Sequence, residues 1–74
     1  MSMPMLPPEF LSPRELEVVK LVADGLREKV IAGRLGITHA TVRVHVWNIA
    51  AKLELPSDAD RHVLIARWWL EHAA

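Results

Sequence analysis

The sequence predicts an all-α fold of four short helices, and three observations predict it. Val42, Val46, Ile49 and Leu53 recur at i, i+4, i+7 and i+11, one continuous apolar stripe of helical period. Start and stop signals punctuate the chain, with Ser12-Pro13 opening a helix, Asp24-Gly25 and Gly36 closing two, and Leu55-Pro56 closing a third. The connections left between these signals are short, as in a helical domain, and no strand is assigned.

Taken in order, Met1–Phe10 contains three prolines and little periodicity and reads as a flexible arm, so the folded domain is expected over residues 11–74. Ser12-Pro13-Arg14-Glu15 is a capping box: Ser12 is the N-cap, Pro13 takes the first helical position and Glu15 reaches back. Leu11 and Leu16 stand where a hydrophobic staple would place them. Leu16, Val19, Ala23 and Leu26 then supply the expected inner face of the first helix. The second helix is predicted from about Glu28 to Leu35, with Ile31 and Leu35 on one side and Gly36 as its stop. Thr38 caps the third helix, which carries the Val42–Leu53 stripe. Ser57 or Asp58 is expected to cap the fourth, which runs to about His72.

Seventy-four residues allow one domain, and a domain this small has only a modest core. There is no cysteine, which excludes a disulfide framework and a thiolate metal site, so packing against a second copy is the natural further source of stability. No apolar run has the length of a membrane span and Met1–Phe10 lacks a signal-peptide pattern; the expectation is a soluble, cytoplasmic protein. The formal net charge is zero, but its distribution is uneven. Residues 25–53 carry Arg27, Lys29, Arg34, Arg43 and Lys52 against Glu28 alone, while the segments on either side are each acidic on balance. A basic stripe on a neutral body is the footprint of a phosphate-binding face, and equally of a solvated helix surface.

The segment Ile31 to Thr38, followed by Val42, sharpens this. Two helices that cross steeply through a tight turn need a small residue at their close approach, a turn residue tolerant of positive φ, and apolar side chains locking them from inside. Ala32, Gly36 and the set Ile31, Leu35, Ile37 and Val42 meet these needs in that order. The pattern is that of a helix-turn-helix, the alternative being an ordinary helical hairpin in a bundle.

Leu11-Ser12-Pro13-Arg14-Glu15, Gly25-Leu26, Lys29, Ile31-Ala32, Leu35-Gly36-Ile37, Thr41-Val42-Arg43-Val44-His45, Asn48-Ile49 and Lys52-Leu53 together resemble the LuxR-type (GerE-like) DNA-binding domain. The likeness covers residues 11–55 without a gap and is looser from Pro56 onward. It implies a four-helix domain whose third helix enters the major groove of double-stranded DNA. It also implies a fourth helix that dimerises the protein, and binding to short inverted repeats near promoters. Lys29 matches a phosphate-contacting lysine of the family, and Arg43 its basic DNA-contacting residue.

The stripe on the third helix leaves Ala40, Thr41, Arg43, Val44, Trp47, Asn48 and Ala51 on the other side, where a groove-docked helix meets bases and flanking phosphates. Arg43 is the one of these able to pair bidentately with guanine or to clamp a phosphate. Ala40 and Val44 suit thymine methyl groups. Lys29 lies near the positive end of the second helix. Arg27 occupies the position where the family has a hydroxyl cap, so it loses a cap and gains a charge. Thr38 and Thr41 read as cap and phosphate donors, and Lys52 as a phosphate contact or a complement to the negative end of its helix. Three departures from the family pattern bear on the target: Val30 for a glutamate, Ala40 and Val44 where polar residues are common, and Trp47 for a small polar residue.

His39, His45, His62 and His72 lack metal-ligand spacing, and no nucleophile–base constellation appears; neither a metal, a cofactor, a small-molecule ligand nor an enzymatic activity is expected. In the fourth helix, Val63, Ile65, Ala66, Trp69, Leu70 and Ala73 are expected to pack inward. Leu64 and Trp68 would then emerge one turn apart among charges as the anchors of a homodimer. A DNA-binding transcriptional regulator is thus the leading reading. The alternative is a protein-interaction module on the same fold, with Ala40, Val44 and Trp47 contacting a component of the transcription machinery or a regulatory partner.

Overall fold

The structure, a computed structural model, describes residues 10–56 and 60–72. It contains α1 (Pro13–Ala23), α2 (Glu28–Leu35), α3 (His39–Lys52) and α4 (Arg61–His72), and no strand among the described residues. No helix there is long and apolar enough to cross a membrane. Most of the arm Met1–Phe10, together with Ser57, Asp58 and Ala73, lies outside the described residues.

The capping box forms as the sequence requires. The Ser12 hydroxyl accepts the Glu15 N–H at 3.2 Å, and the Ser12 N–H donates to Glu15 Oε1 at 2.8 Å. The inner face of α1 differs from the expected one. Val18, Val19 and Val22 are buried, whereas Leu16 is only half-buried. Because α1 packs against all three other helices, its buried side is wider than one stripe and is centred a residue earlier than Ala23 would place it.

Gly36 ends α2 in the left-handed conformation, φ 67° and ψ 33°, and the N–H groups of Gly36 and Ile37 both donate to the Ala32 carbonyl. This tight closure turns the chain straight into α3, where Thr38 Oγ1 accepts the Thr41 N–H at 3.1 Å. Within α3, Thr41–Val46 alternates polar and apolar residues as a strand would. The longer period wins because Val42, Val46, Ile49 and Leu53 are all essentially inaccessible, and only a helix puts all four on one side. Val44, at the off-period position, is left 55% exposed. Beyond Leu53 the chain leaves the helix through Glu54, a non-glycine residue at φ 55°.

A charged pair ties α1 to α3. Glu15 is buried, and Lys52 Nζ lies 2.7 Å from its Oε1. Burial alone would raise the carboxyl group, but the Lys52 ammonium, the Ser12 N–H and the Ser12 hydroxyl together hold it below its ordinary value. Lys52 therefore has a partner inside the protein. It stands in the last turn of α3, where it complements the negative helix end as expected, and its pairing with the buried carboxylate is an addition the sequence did not predict.

α4 begins after Asp60, whose Oδ1 accepts the N–H groups of His62 at 3.0 Å and Val63 at 3.3 Å. Asp60 thus caps the helix. The orientation of α4 also corrects the sequence reading. Ile65 and Trp68 enter the core, Leu64 and Trp69 are half-buried, and Val63 and Leu70 face outward at 54% and 67% exposure. Trp68 is thus no exposed anchor, and Leu64 only partly one. Either rotation offers the core an indole, Trp69 in the expected one and Trp68 in the observed one, and packing against α1 and α3 selects the rotation that buries Trp68 beside Ile65 while keeping Trp69 half-buried. The ring of Trp68 also stacks on His72 at 5.8 Å, and His72 Nδ1 lies 3.0 Å from the Trp68 carbonyl oxygen.

Two sets of substitutions test this account. At Gly36 an added Cβ would meet no heavy atom within 4 Å, so Gly36→Ala should cost only the left-handed backbone penalty, about 1 kcal/mol or a little more. Glu54→Gly should move stability the other way by up to about 1 kcal/mol, and thermal unfolding reads both as shifts of roughly 4–8 °C per kcal/mol. Equal responses at the two positions would contradict the backbone explanation. For the ion pair, Glu15→Gln should lower stability near neutral pH by about 1–2 kcal/mol, Lys52 being partly screened by solvent. A depressed folded pKa means this contribution is complete above the ordinary glutamate range and is lost as pH falls through the folded value. The melting temperatures of wild type and Glu15→Gln should therefore converge only as the pH is lowered below the ordinary glutamate range.

Candidate nucleic-acid interface

Burying one side of α3 exposes the other. Ala40, Arg43, Val44, Trp47, Asn48 and Ala51 are exposed and Thr41 is half-buried, so the arc expected from the sequence is present on the surface. The Arg43 side chain is 68% exposed. Arg27 and Lys29 are exposed at the start of α2, and Arg27, the N-cap residue, makes no side-chain capping bond. Thr38 and Thr41 are locally engaged, their hydroxyl oxygens 2.8 Å apart.

The fold brings cations from two helices to one place. Arg27, Lys29 and Arg43 line an open cleft of about 670 Å³ whose apolar floor includes Val22 and Leu26. Arg43 thereby shares one surface with the two basic residues that begin α2, while Lys52 remains with Glu15.

Glu28 organises this cleft, and the sequence reading missed its role. Its Oε1 lies 2.9 Å from His39 Nε2 and 3.7 Å from Arg43 Nε, and its Oε2 lies 3.2 Å from His62 Nε2. One carboxylate thus joins the starts of α2, α3 and α4. At 3.7 Å the Arg43 contact is an attraction and not a hydrogen bond, so the guanidinium is oriented while keeping its donors for an external acceptor. The only signal in the sequence was that Glu28 is the single acid in a basic segment; its two histidine partners come from two other helices, α3 and α4.

At the other end of the arc, Trp47 is 62% exposed, and Arg61 Cζ from the first turn of α4 lies 5.6 Å from the centroid of its ring. Arg61 was not singled out from the sequence, since nothing in the spacing of the two residues predicts the contact.

Residues 9–66 match the family model GerE, described as bacterial regulatory proteins of the luxR family. Among similar proteins, the nitrate/nitrite response regulator protein NarL of Escherichia coli (strain K12) is 46% identical over 55 residues, 74% of this chain and 26% of that protein. The monoamine regulon transcriptional regulator of Klebsiella aerogenes is 38% identical over 66 residues, 89% of this chain and 28% of its own. The transcriptional regulatory protein LiaR of Bacillus subtilis (strain 168) is 46% identical over 50 residues, 68% of this chain and 24% of its own. The chain spans about a quarter of the length of these relatives. The family match starts before α1 and runs into α4, and with the four-helix architecture it shows that this chain belongs to the luxR family of bacterial regulatory proteins.

Proposed function

We propose that this chain is the DNA-binding unit of a transcriptional regulator and that α3 docks in the major groove. The observation that carries this reading is the exposed arc of α3 lying beside a cleft lined by Arg27, Lys29 and Arg43. Cations converging from two helix starts suit a polyanion backbone, and a helix side free of core contacts suits a groove. The names of its relatives, a response regulator and two transcriptional regulators, favour the same reading. Arg27 and Lys29 then position the domain on phosphates, with Thr38 and Thr41 contributing hydroxyls at the start of α3. Arg43 reads a guanine edge or holds a phosphate, Ala40 and Val44 meet thymine methyls, and Asn48 offers an amide to the groove.

A second reading, a module that binds a polypeptide, is favoured by the apolar exposure of Val44 and Trp47 on α3. Salt dependence separates the two. Arg27, Lys29 and Arg43 give about six phosphate contacts for a pair of domains. These three cations should therefore contribute about −5 to the slope of log K against log salt on a two-half-site duplex, at ~0.9 per phosphate, any further contact making it steeper. A slope near zero would exclude DNA as the main ligand of this surface and leave the polypeptide reading.

The same reading includes a homodimer through α4, formed on an inverted repeat. Val63 and Leu70, exposed and two turns apart with exposed Arg67 between them, are better anchors than Leu64 and Trp68. A two-fold interface would use this patch twice and set the α3 helices about one DNA turn, ~34 Å, apart. Leu70→Glu, at a position with little packing to lose, should weaken binding to a two-half-site duplex while sparing helical content and single-half-site binding. Sedimentation and footprinting decide this: unchanged two-half-site protection at unchanged affinity would remove α4 from the dimer.

A further inference from the structure

We propose that Arg61, held against the ring of Trp47, is a phosphate ligand flanking the C-terminal half of α3, an assignment that rests on the DNA-binding reading above. Three observations lead to it. The basic side chain of the last turn of α3, Lys52, is paired with Glu15 at 2.7 Å, so part of its charge is already compensated and a further cation at this end of the helix adds to what DNA meets. The ring of Trp47 stands on the exposed arc with Val44 and Ala51, on the side of α3 that would face DNA. The guanidinium of Arg61 is carried to that ring from a different helix, 5.6 Å from its centroid.

The chemistry of the pair suits the task. A guanidinium held over an indole face is attracted by the ring quadrupole and loses little hydration. Its N–H donors lie in its own plane, so they remain available for the forked contact that phosphate oxygens accept. Restricting a long side chain before DNA arrives also removes part of the ordering cost of the contact. The small residues Ala50 and Ala51 leave a hollow of about 250 Å³ beside Trp47, Leu55 and Arg61, so the pair rests on the surface and is not wedged into the core. Trp47, a departure from the family pattern that carries no charge, thereby supplies a cation to the groove-facing side through its neighbour.

The test measures affinity for a single-half-site duplex and for a random duplex across a range of salt, with thermal unfolding of each variant alongside. Arg61→Ala should reduce the magnitude of the salt slope by about 0.9 on both duplexes, because a phosphate contact carries no base information. Arg61→Lys should recover most of that loss. Trp47→Ala should reproduce the Arg61→Ala slope, Trp47→Phe should retain the wild-type slope, and the Trp47→Ala/Arg61→Ala pair should lose no more than either change alone. A wild-type slope retained in Arg61→Ala overturns the proposal while leaving DNA binding intact. If that variant also melts lower, the pair serves only to hold α4 on α3. Independent losses from the two alanine variants would overturn the platform role of Trp47. A wild-type slope near zero would instead overturn the DNA-binding reading itself, and this assignment with it.

Discussion

The burial of Val42, Val46, Ile49 and Leu53 orients α3, and the other surfaces of the protein follow from that orientation. Each of these side chains contributes on the order of 1.5–3 kcal/mol when removed from water, and all four act on the same rotation of one helix. A turn of α3 about its axis would lift several of them out together, so the rotation is strongly defined. Arg43, Val44, Trp47 and Asn48 are exposed as a consequence and not through preferences of their own. The tight closure at Gly36 adds the second constraint, since the short turn from α2 leaves α3 little freedom to slide or tilt.

Two glutamates then divide the basic side chains between structure and surface. Glu15 is buried, shares its oxygen with the capping of α1, and takes Lys52 inward. Glu28 is nearer the surface, joins His39 and His62, and lies close enough to Arg43 to orient it without forming a hydrogen bond. The more deeply buried carboxylate of Glu15 needs a counter-charge more than Glu28 does, in keeping with the close 2.7 Å pairing of Lys52 and the looser 3.7 Å approach of Arg43. Of the cations of residues 25–53, Arg27, Lys29 and Arg43 line the cleft, Arg34 is exposed in the last turn of α2, and Lys52 is paired with Glu15.

Large apolar side chains show the same division. Trp68 and Trp47 both lie on helices with mixed surfaces, yet Trp68 enters the core and Trp47 stays in solvent against Arg61. The difference lies in what each helix already buries. α3 has a complete stripe without Trp47, whereas in α4 Trp68 joins Ile65 as the buried pair, with Trp69 half-buried beside them. Val63 and Leu70 are the residues displaced to the surface of α4 by this arrangement.

Local chemistry determined the helix ends and the class of the fold. The capping box at Ser12 and Glu15, the glycine stop at Gly36, the Thr38 cap and the uninterrupted period of the α3 stripe act within one or two turns of chain, so the sequence alone specifies them. The exposed arc of α3 was legible for the same reason, being the complement of a strongly patterned inner side. Where apolar residues surround a helix, as in α4, periodicity admits more than one rotation, and only packing against α1 and the rest of the core selected Ile65 and Trp68. The Lys52–Glu15 pair, the gathering of His39, His62 and Arg43 around Glu28, and the contact between Arg61 and Trp47 were likewise decided by the tertiary structure. Each joins residues from different helices, and the energy of such a contact depends on distances that exist only once the helices have packed.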